Sequence, residues 1–572
     1  MKCNLRLLIL SCLFFFPFAE LSYVSSSNVF SKYGGSLILS TTSDPRSFND
    51  IIAKETSTTL VTNYIFEGLT TTNAHTLKVE PNLAKSWVVS PEGTVWDFHL
   101  RDDVLWNDGV KFTSDDVVFT FNDLIYNPRI PSSARDVFTV EGKEFKVEKL
   151  DDFTVRFTLP IKFAPFLRGM SQAILPRHKL EKAVKDNNFN HTWGIDTSEA
   201  EIVGTGPFKL SKYLPGQHIV FERNKLYWKK SNEQEKLPFL DKIIYLIVQN
   251  ADIEILKFLE GETDAVMLRG LDYSLLKPLE YEKNFTVFDL GPDTGSSFLT
   301  FNLNKRLNPQ SGKPYVDPVK SGWFCDRNFR EAVAHAIDYD QIIKIVKNGL
   351  GYRQYSPLSP AVGFYYNDKV EKRNYDQEKA KEFLEKGGYR DRDGDGILED
   401  KGGNKIEFNL YTNSGNTERV DIAAIISQDL SNLGMKINFQ ALEFNTVVGK
   451  LNSSFDWDSV ILGLTGVIDP HFEKNVWMSS GGLHLWNPNQ EEPATEWERK
   501  IDDIFVKGVQ ELDEAKRKIF YDKYQVIASK EIPLIYTALG AKISAVRNKF
   551  GNLYPTNYGG VFHNIEEIYI KR

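Results

Sequence analysis

Short runs of alternating apolar and polar residues recur along this chain, separated by turns rich in glycine and proline. Residues 35–40 (Gly-Ser-Leu-Ile-Leu-Ser) alternate with a period of two and predict a strand. Thr113-Ser-Asp-Asp116 precedes the apolar run Val117-Val-Phe119 and predicts a helix start, with Thr113 capping the amide of Asp116. A polar stretch at 198–202 then gives way to Gly204-Thr-Gly-Pro-Phe208, a turn into a strand. In the second half the apolar period lengthens. Residues 326–338 put Phe329, Val333, Ala336 and Ile337 on one helical face. Asp376 caps a helix that reaches Lys386 and is closed by Gly387-Gly388. A longer amphipathic helix over 417–433 stops at Gly434 and feeds an alternating strand over 435–441. Residues 530–537 predict an apolar strand near the C-terminus. Helices alternating with strands imply α/β units.

With 572 residues, 41% of them hydrophobic, the chain can bury a large core. The formal charge of −8 has no acidic or basic blocks, so no nucleic-acid partner is expected, since phosphate binding needs clustered Lys and Arg. Lys2 and Arg6 followed by the apolar run 7–18 read as an export signal, taken as residues 1–27 with Ser25 to Ser27 offering small residues for cleavage. Cys12 faintly suggests a lipid anchor, which is the second reading after ordinary export. No later run is long and apolar enough to span a bilayer, so the mature protein is expected to be soluble in the periplasm or cell envelope. Once the signal is removed, Cys325 stands alone and no disulfide framework is expected.

Catalytic motifs are missing from the sequence: it has no Gly-x-Ser-x-Gly, no P-loop and no His-Glu-x-x-His. No catalytic residue, cofactor or bound metal is expected, and the protein reads as a non-enzyme. Asp391-Arg-Asp393-Gly-Asp395-Gly396 copies the first half of an EF-hand loop. Gly402 stands where the bidentate glutamate belongs, although Glu399 or Asp400 is near enough to substitute. The two readings are an Asp/Gly hairpin turn and, second to it, a calcium loop. Asp469, His471 and His484 lie close in sequence and define the distant alternative of a secreted metal-dependent hydrolase. Residues 456–463 read as a buried strand running into a loop.

Several motifs together carry a family resemblance. Phe66-Glu-Gly-Leu-Thr70, Leu83-Ala-Lys-Ser-Trp87, Trp96-Asp-Phe-His-Leu-Arg101, Trp106-Asn-Asp-Gly109 and Phe112-Thr113-Ser-Asp-Asp116 occur in order. Gly204-Thr-Gly-Pro, Pro215-Gly216, Glu222-Arg-Asn, Tyr227-Trp228 and Gly261-Glu-Thr-Asp264 follow. The whole resembles the solute-binding proteins of ABC importers in the oligopeptide, dipeptide and nickel family. The resemblance implies an α/β fold of two lobes hinged about a cleft, with an extra subdomain in the first lobe. The first lobe would comprise 28–67, 203–297 and 530–572, the subdomain 68–202 and the second lobe 298–529, with crossovers near Ser297 and Lys530. It also implies a receptor, expected as a monomer, that captures a peptide or other small solute and delivers it to ABC permease subunits. An oligosaccharide or a metal chelate is the alternative cargo.

By the same resemblance, Ser43, Asp44 and Tyr64 line one wall of the cleft. Leu464, Thr465, Gly466, Val467 and Asp469 line the other, and the planar groups of Trp477, His484 and Trp486, close to the same loop in sequence, read either as cleft lining or as ordinary packing. Peptide-binding relatives carry an aspartate after the step that here reads Leu464-Thr-Gly466, and it pairs with the peptide ammonium. Here the next residue is Val467, so that anchor is missing or moved, with Asp469 as its candidate replacement.

Overall fold

The computed structural model describes residues 31–53, 56–132, 134–140 and 142–571; the expected export signal and Cys12 lie outside them. The strand Ser36–Thr41 forms where the sequence alternates and buries Leu37 and Leu39. It runs parallel to Lys242–Ile247, which continues antiparallel into His218–Arg223 and then Phe208–Leu214. A second, antiparallel sheet takes the order Ala84–Val89, Val95–Leu100, Thr154–Thr158, Lys146–Asp151. Its period of two sends Trp96, Phe98, Leu100, Val155 and Phe157 inward, where Phe98 and Phe157 meet the rings of Phe166 and Phe121. At the start of the next helix, the amide of Thr113 donates to the carboxylate of Asp116 at 3.0 Å.

The Gly204-Thr-Gly206 turn is a close backbone crossing. It packs on the end of the helix Thr56–Ile65. A Cβ on Gly204 would stand 2.0 Å from the carbonyl oxygen of Ile65, and one on Gly206 would stand 2.5 Å from that of Tyr64. Only glycine fits at either place.

A five-stranded sheet organises the second lobe, in the order Lys436–Leu442, Glu407–Asn413, Ser459–Leu464, Ser296–Phe301, Leu534–Tyr536. The first two strands are parallel and joined by the helix Thr417–Asn432, a βαβ unit as the alternation predicts. Asp376 caps the helix Gln377–Gly387 through the amide of Lys379 at 3.0 Å, and Gly388 ends it at φ +86°. Gly434 ends the longer helix region at φ +89°. The helix Arg327–Ala336 is buried nearly all round rather than on one face. Phe329 packs on Phe301 and Phe408 of the sheet, and Arg373 caps the buried Glu331 at 2.6 and 2.7 Å.

The last helix, Glu514–Glu531, runs through Lys530, so the C-terminal strand is only Leu534–Tyr536. Ile532 at φ +42° closes the helix, and Pro533 cannot continue it. Two segments carry the chain between lobes. Phe285–Pro292 pairs with Ala538–Arg547 in one sheet, while Ser296–Phe301 pairs with Leu534–Tyr536 in the other. The crossings are therefore 293–295 and Thr537. The second crossing is bonded to the strand that follows the first: Thr537 N donates to Ser297 O at 2.8 Å, and the Thr537 hydroxyl meets the Ser297 hydroxyl at 2.9 Å. The lobes also touch elsewhere: Gly351–Arg353 pairs with Ala538–Gly540, Asn348 Nδ2 donates to Gly270 O at 3.1 Å, and a further contact involves the subdomain. Ala164 N donates to Val509 O at 2.7 Å, and Phe163 packs edge-on against His471 with ring centroids 5.7 Å apart.

Candidate ligand cleft

A polar cavity of about 360 Å³ opens at the two crossings. Its walls are the backbone of 293–297, the loop 463–466, residues 538–540 and the start of the helix Thr417–Asn432. Gly295 and Gly466 let the first two walls close up: a Cβ on Gly466 would stand 1.8 Å from the carbonyl oxygen of Thr294. The strand Ser459–Leu464 is paired along its full length with Ser296–Phe301 on one edge. On its other edge, pairing with Glu407–Asn413 stops at Tyr411–Val460, and the Thr412 hydroxyl then reaches Ile461 O at 2.9 Å. Residues 462–464 thus have a ladder on one side alone.

Four charged residues line the cavity. Lys347 and Glu418 pair at 2.5 Å. Arg419 and Asp293 have no ion-pair partner among the described residues. Arg419 Nη1 donates to Asn413 Oδ1 at 3.0 Å, and Nη2 would lie 3.0 Å from a Cβ on Gly463. Burial pulls the Arg419 pKa below its ordinary value, with Glu418 opposing. Asp293 accepts from the amide of Thr294 at 2.6 Å and is exposed at the rim. Sequence reasoning did not pick out Arg419, Lys347 or Asp293. One signal was there: Arg419 is a cation in the first turn of a helix, where the dipole favours acidic residues.

Of the expected cleft residues, Leu464, Thr465 and Gly466 line this cavity, and Val467 follows them half-buried. Ser43 is exposed on the other lobe. Asp44 is held inside that lobe by Tyr213 Oη at 2.7 Å and Gly216 N at 2.9 Å. Tyr64 packs against Phe208 and Phe221 and bonds Tyr245 Oη at 2.9 Å.

The structure corrects the reading of the downstream residues. Asp469 is 3% exposed and grips Arg517 through both oxygens, at 2.6 and 2.7 Å, while its Oδ1 also accepts from His471 N at 3.0 Å. Burial alone would raise its pKa; Arg517 more than offsets this and holds it below the usual carboxylate range. With both oxygens engaged, Asp469 has no room for a ligand's ammonium. Trp477, His484 and Trp486 are core residues, at 1%, 0% and 0% exposure. The carboxylate of Glu498 gathers two of them with Gln490: His484 Nε2, Trp486 Nε1 and Gln490 Nε2 all approach its Oε1 at 3.1–3.2 Å, while Trp477 packs on Trp486 and Tyr524. His484 Nδ1 faces Val476 O at 2.9 Å, so both ring nitrogens are used. His471 is buried with its pKa lowered to about 3 by loss of solvent, although Asp469 opposes this. The metal triad Asp469, His471 and His484 does not assemble.

A larger groove of about 680 Å³ lies between the helices Glu496–Gln510 and Glu514–Glu531. It is mainly apolar and shares no lining residue with the cavity at the crossings.

Comparison with known proteins agrees with this architecture. The chain is similar to the oligopeptide-binding protein AppA of Bacillus subtilis (strain 168), at 29% identity over 76% of this chain and 74% of that protein. The solved structure of AppA from Bacillus subtilis in complex with a nonapeptide superposes with a TM-score of 0.71, at 24% identity, over 94% of this chain and 99% of that one. NikA from Brucella suis in complex with Fe(III)-EDTA shares the fold with a TM-score of 0.76 at 19% identity, over 94% of this chain and all of that one (100%). Residues 78–483 match the family model described as "Bacterial extracellular solute-binding proteins, family 5 Middle". That match spans most of the sequence, so this chain belongs to family 5 of the bacterial extracellular solute-binding proteins.

Proposed function

We propose that this receptor captures short peptides in the cavity at the crossings and presents them to an ABC importer. The observation that carries the reading is the pairing of a one-sided strand, 462–464, with the unpaired guanidinium of Arg419 beside it. A peptide lying along the open edge gains main-chain hydrogen bonds without its sequence being read. Its terminal carboxylate then meets Arg419 and the positive end of the helix Thr417–Asn432. A volume of about 360 Å³ is at the small end of ligand pockets and suits a few residues. Similarity to a peptide-binding protein supports the same cargo.

The lobes close around the cargo by turning about the two crossings, and the closed form, a monomer, docks on the permease. Closure must be driven by contacts made only in that form, and this scheme assigns that role to Ala164–Val509 and Phe163–His471, which join the lobes. The segments 28–67, 203–297 and 530–572, interrupted by 68–202, serve as the first lobe in this scheme, with the boundary near 530 moved to Thr537.

Val467 supplies no charge and Asp469 is taken, so the free amine of the peptide contributes little. Calorimetry with a tripeptide, its N-acetyl form and its C-terminal amide tests the reading. Acetylation is expected to cost well under the ~2 kcal/mol of a lost buried charge pair, and amidation to cost more than acetylation. A large acetylation cost would point to Asp293 as the amine partner. If none of the three binds while an oligosaccharide or an anionic metal chelate does, the cargo is not a peptide.

A further inference from the structure

We propose that the loop 391–399 in the second lobe is a calcium site. Asp391, Asp393, Asp395 and Glu399 each bring a carboxylate oxygen to a common point, all within 4.8 Å of one another. The three aspartates are exposed, and exposed acidic turns are common; the fourth residue decides. Glu399 is 2% exposed. Its Oε2 accepts from the amide of Arg392 at 2.6 Å, but its Oε1 is buried with no hydrogen-bond partner. A carboxylate oxygen removed from water and left without a donor is costly. A cation among the four carboxylates supplies the missing partner. Backbone bridges from Glu399 to Arg390 and to Lys405 hold it in place from both sides.

Lys405 is the competing explanation. Its ammonium contacts Asp395 and reaches Asp393 Oδ2 at 3.2 Å. One ammonium does not balance four carboxylates, and its ion pairs leave Asp391 and Glu399 without a cation. The donors are all hard oxygens, with no histidine or cysteine, which selects calcium over zinc. Calcium takes six to eight oxygens at flexible geometry, so backbone carbonyls and water complete the shell. When the ion enters, Lys405 must swing out. Bound calcium would then pin the hairpin between the helix Gln377–Gly387 and the strand Glu407–Asn413, a structural role distinct from the cleft.

The test uses the full mature chain, stripped with chelator. Adding about 10 mM calcium, above the ~10⁻⁴–10⁻³ M range of extracellular calcium modules, is expected to raise the melting temperature by about 2 °C or more. Terbium provides a second readout. The indole of Trp323 donates to Asp400 at 2.9 Å, next to the loop, so tryptophan excitation should sensitise terbium bound there, and calcium should displace it. Glu399→Gln should weaken calcium binding at least tenfold, whereas Lys405→Gln should tighten it by removing the competitor. An unchanged melt together with no sensitised terbium overturns the proposal. So does a Lys405→Gln variant that is destabilised and still indifferent to calcium, which would show a turn closed by lysine alone.

Discussion

Arg517 and Arg419 stand on either side of the loop that follows the strand Ser459–Leu464, and they are held in opposite ways. Arg517 is 3% exposed and saturated: it forks onto Asp469 and also meets Gly508 O and the hydroxyls of Tyr365 and Tyr521. Arg419 is half-buried, holds one amide oxygen and faces a cavity. A buried charge with a complete set of partners serves the fold, because opening it would strand its partner in a dry interior. A partly desolvated charge without a counter-ion leaves room for a partner from outside. On the function proposed above, the same segment would carry a structural half, from Asp469 onward, and a binding half, 463–467.

The sharpest way to break this contrast is to remove each arginine in turn. Arg517→Met strands the carboxylate of Asp469 and is expected to cost about 3–5 kcal/mol in urea unfolding. Replacing both partners with apolar residues (Asp469→Leu with Arg517→Met) should recover much of that loss. A single variant as stable as the wild type would show that the pair does not hold the loop. Arg419→Ala should do the reverse. Stability is expected to stay within about 1 kcal/mol, while affinity for a peptide with a free carboxylate falls by about 2 kcal/mol or more, and the amidated peptide is indifferent to the change. Equal losses for both peptides would return Arg419 to a supporting role.

A pH-dependent effect sharpens the structural half. Glu473 is half-buried beside the same loop and accepts from Tyr524 Oη at 3.0 Å; loss of solvent around its carboxyl pushes its pKa up to about 8. The folded chain keeps this proton up to about pH 8, whereas the unfolded chain releases it near the ordinary value of 4.5. Between those limits the native state binds more protons, so stability falls as pH rises from about 4.5 to 8. Glu473→Gln removes the proton exchange. Its stability relative to the wild type should rise from about pH 5 to about pH 8, by up to about 3 kcal/mol. A flat difference across that range would mean that the carboxylate is ionised in the fold.

Much of the fold was legible because local chemistry and tertiary structure agree. Asp376 and Gly388 bound a helix, and the glycines of 204–206 mark a backbone crossing that no larger residue permits. The site was only half legible. The step 464–467 and its missing acidic residue were visible, since backbone and a valine mean the same in any context. Asp469 was not, because its partner lies 48 residues later on another helix. Trp477, His484 and Trp486 have the same planar rings whether they face a ligand or a core. What turns His484 and Trp486 inward is Glu498, a buried acceptor 12 residues beyond Trp486 that needs several donors at once, and Trp477 packs behind them on Trp486 and Tyr524. The C-terminal strand was misplaced for a related reason: a long helix consumed residues whose apolar pattern fits either state.

The bonds that tie Thr537 to Ser297 set two strands side by side like the leaves of a hinge pin. The cavity is lined by the first crossing and by Ala538–Gly540 just after the second, so cargo would sit close to the axis of rotation, while Ala164 and Val509 join the lobes at a separate contact. In a rotation about that pin, a small misfit at the axis becomes a larger gap farther from it. A ligand that is slightly too bulky would therefore be rejected less by a clash in its own pocket than by lobes that fail to meet. The distance from Ala164 to Val509 is then a gauge of cargo fit, readable by any partner that grips both lobes at once.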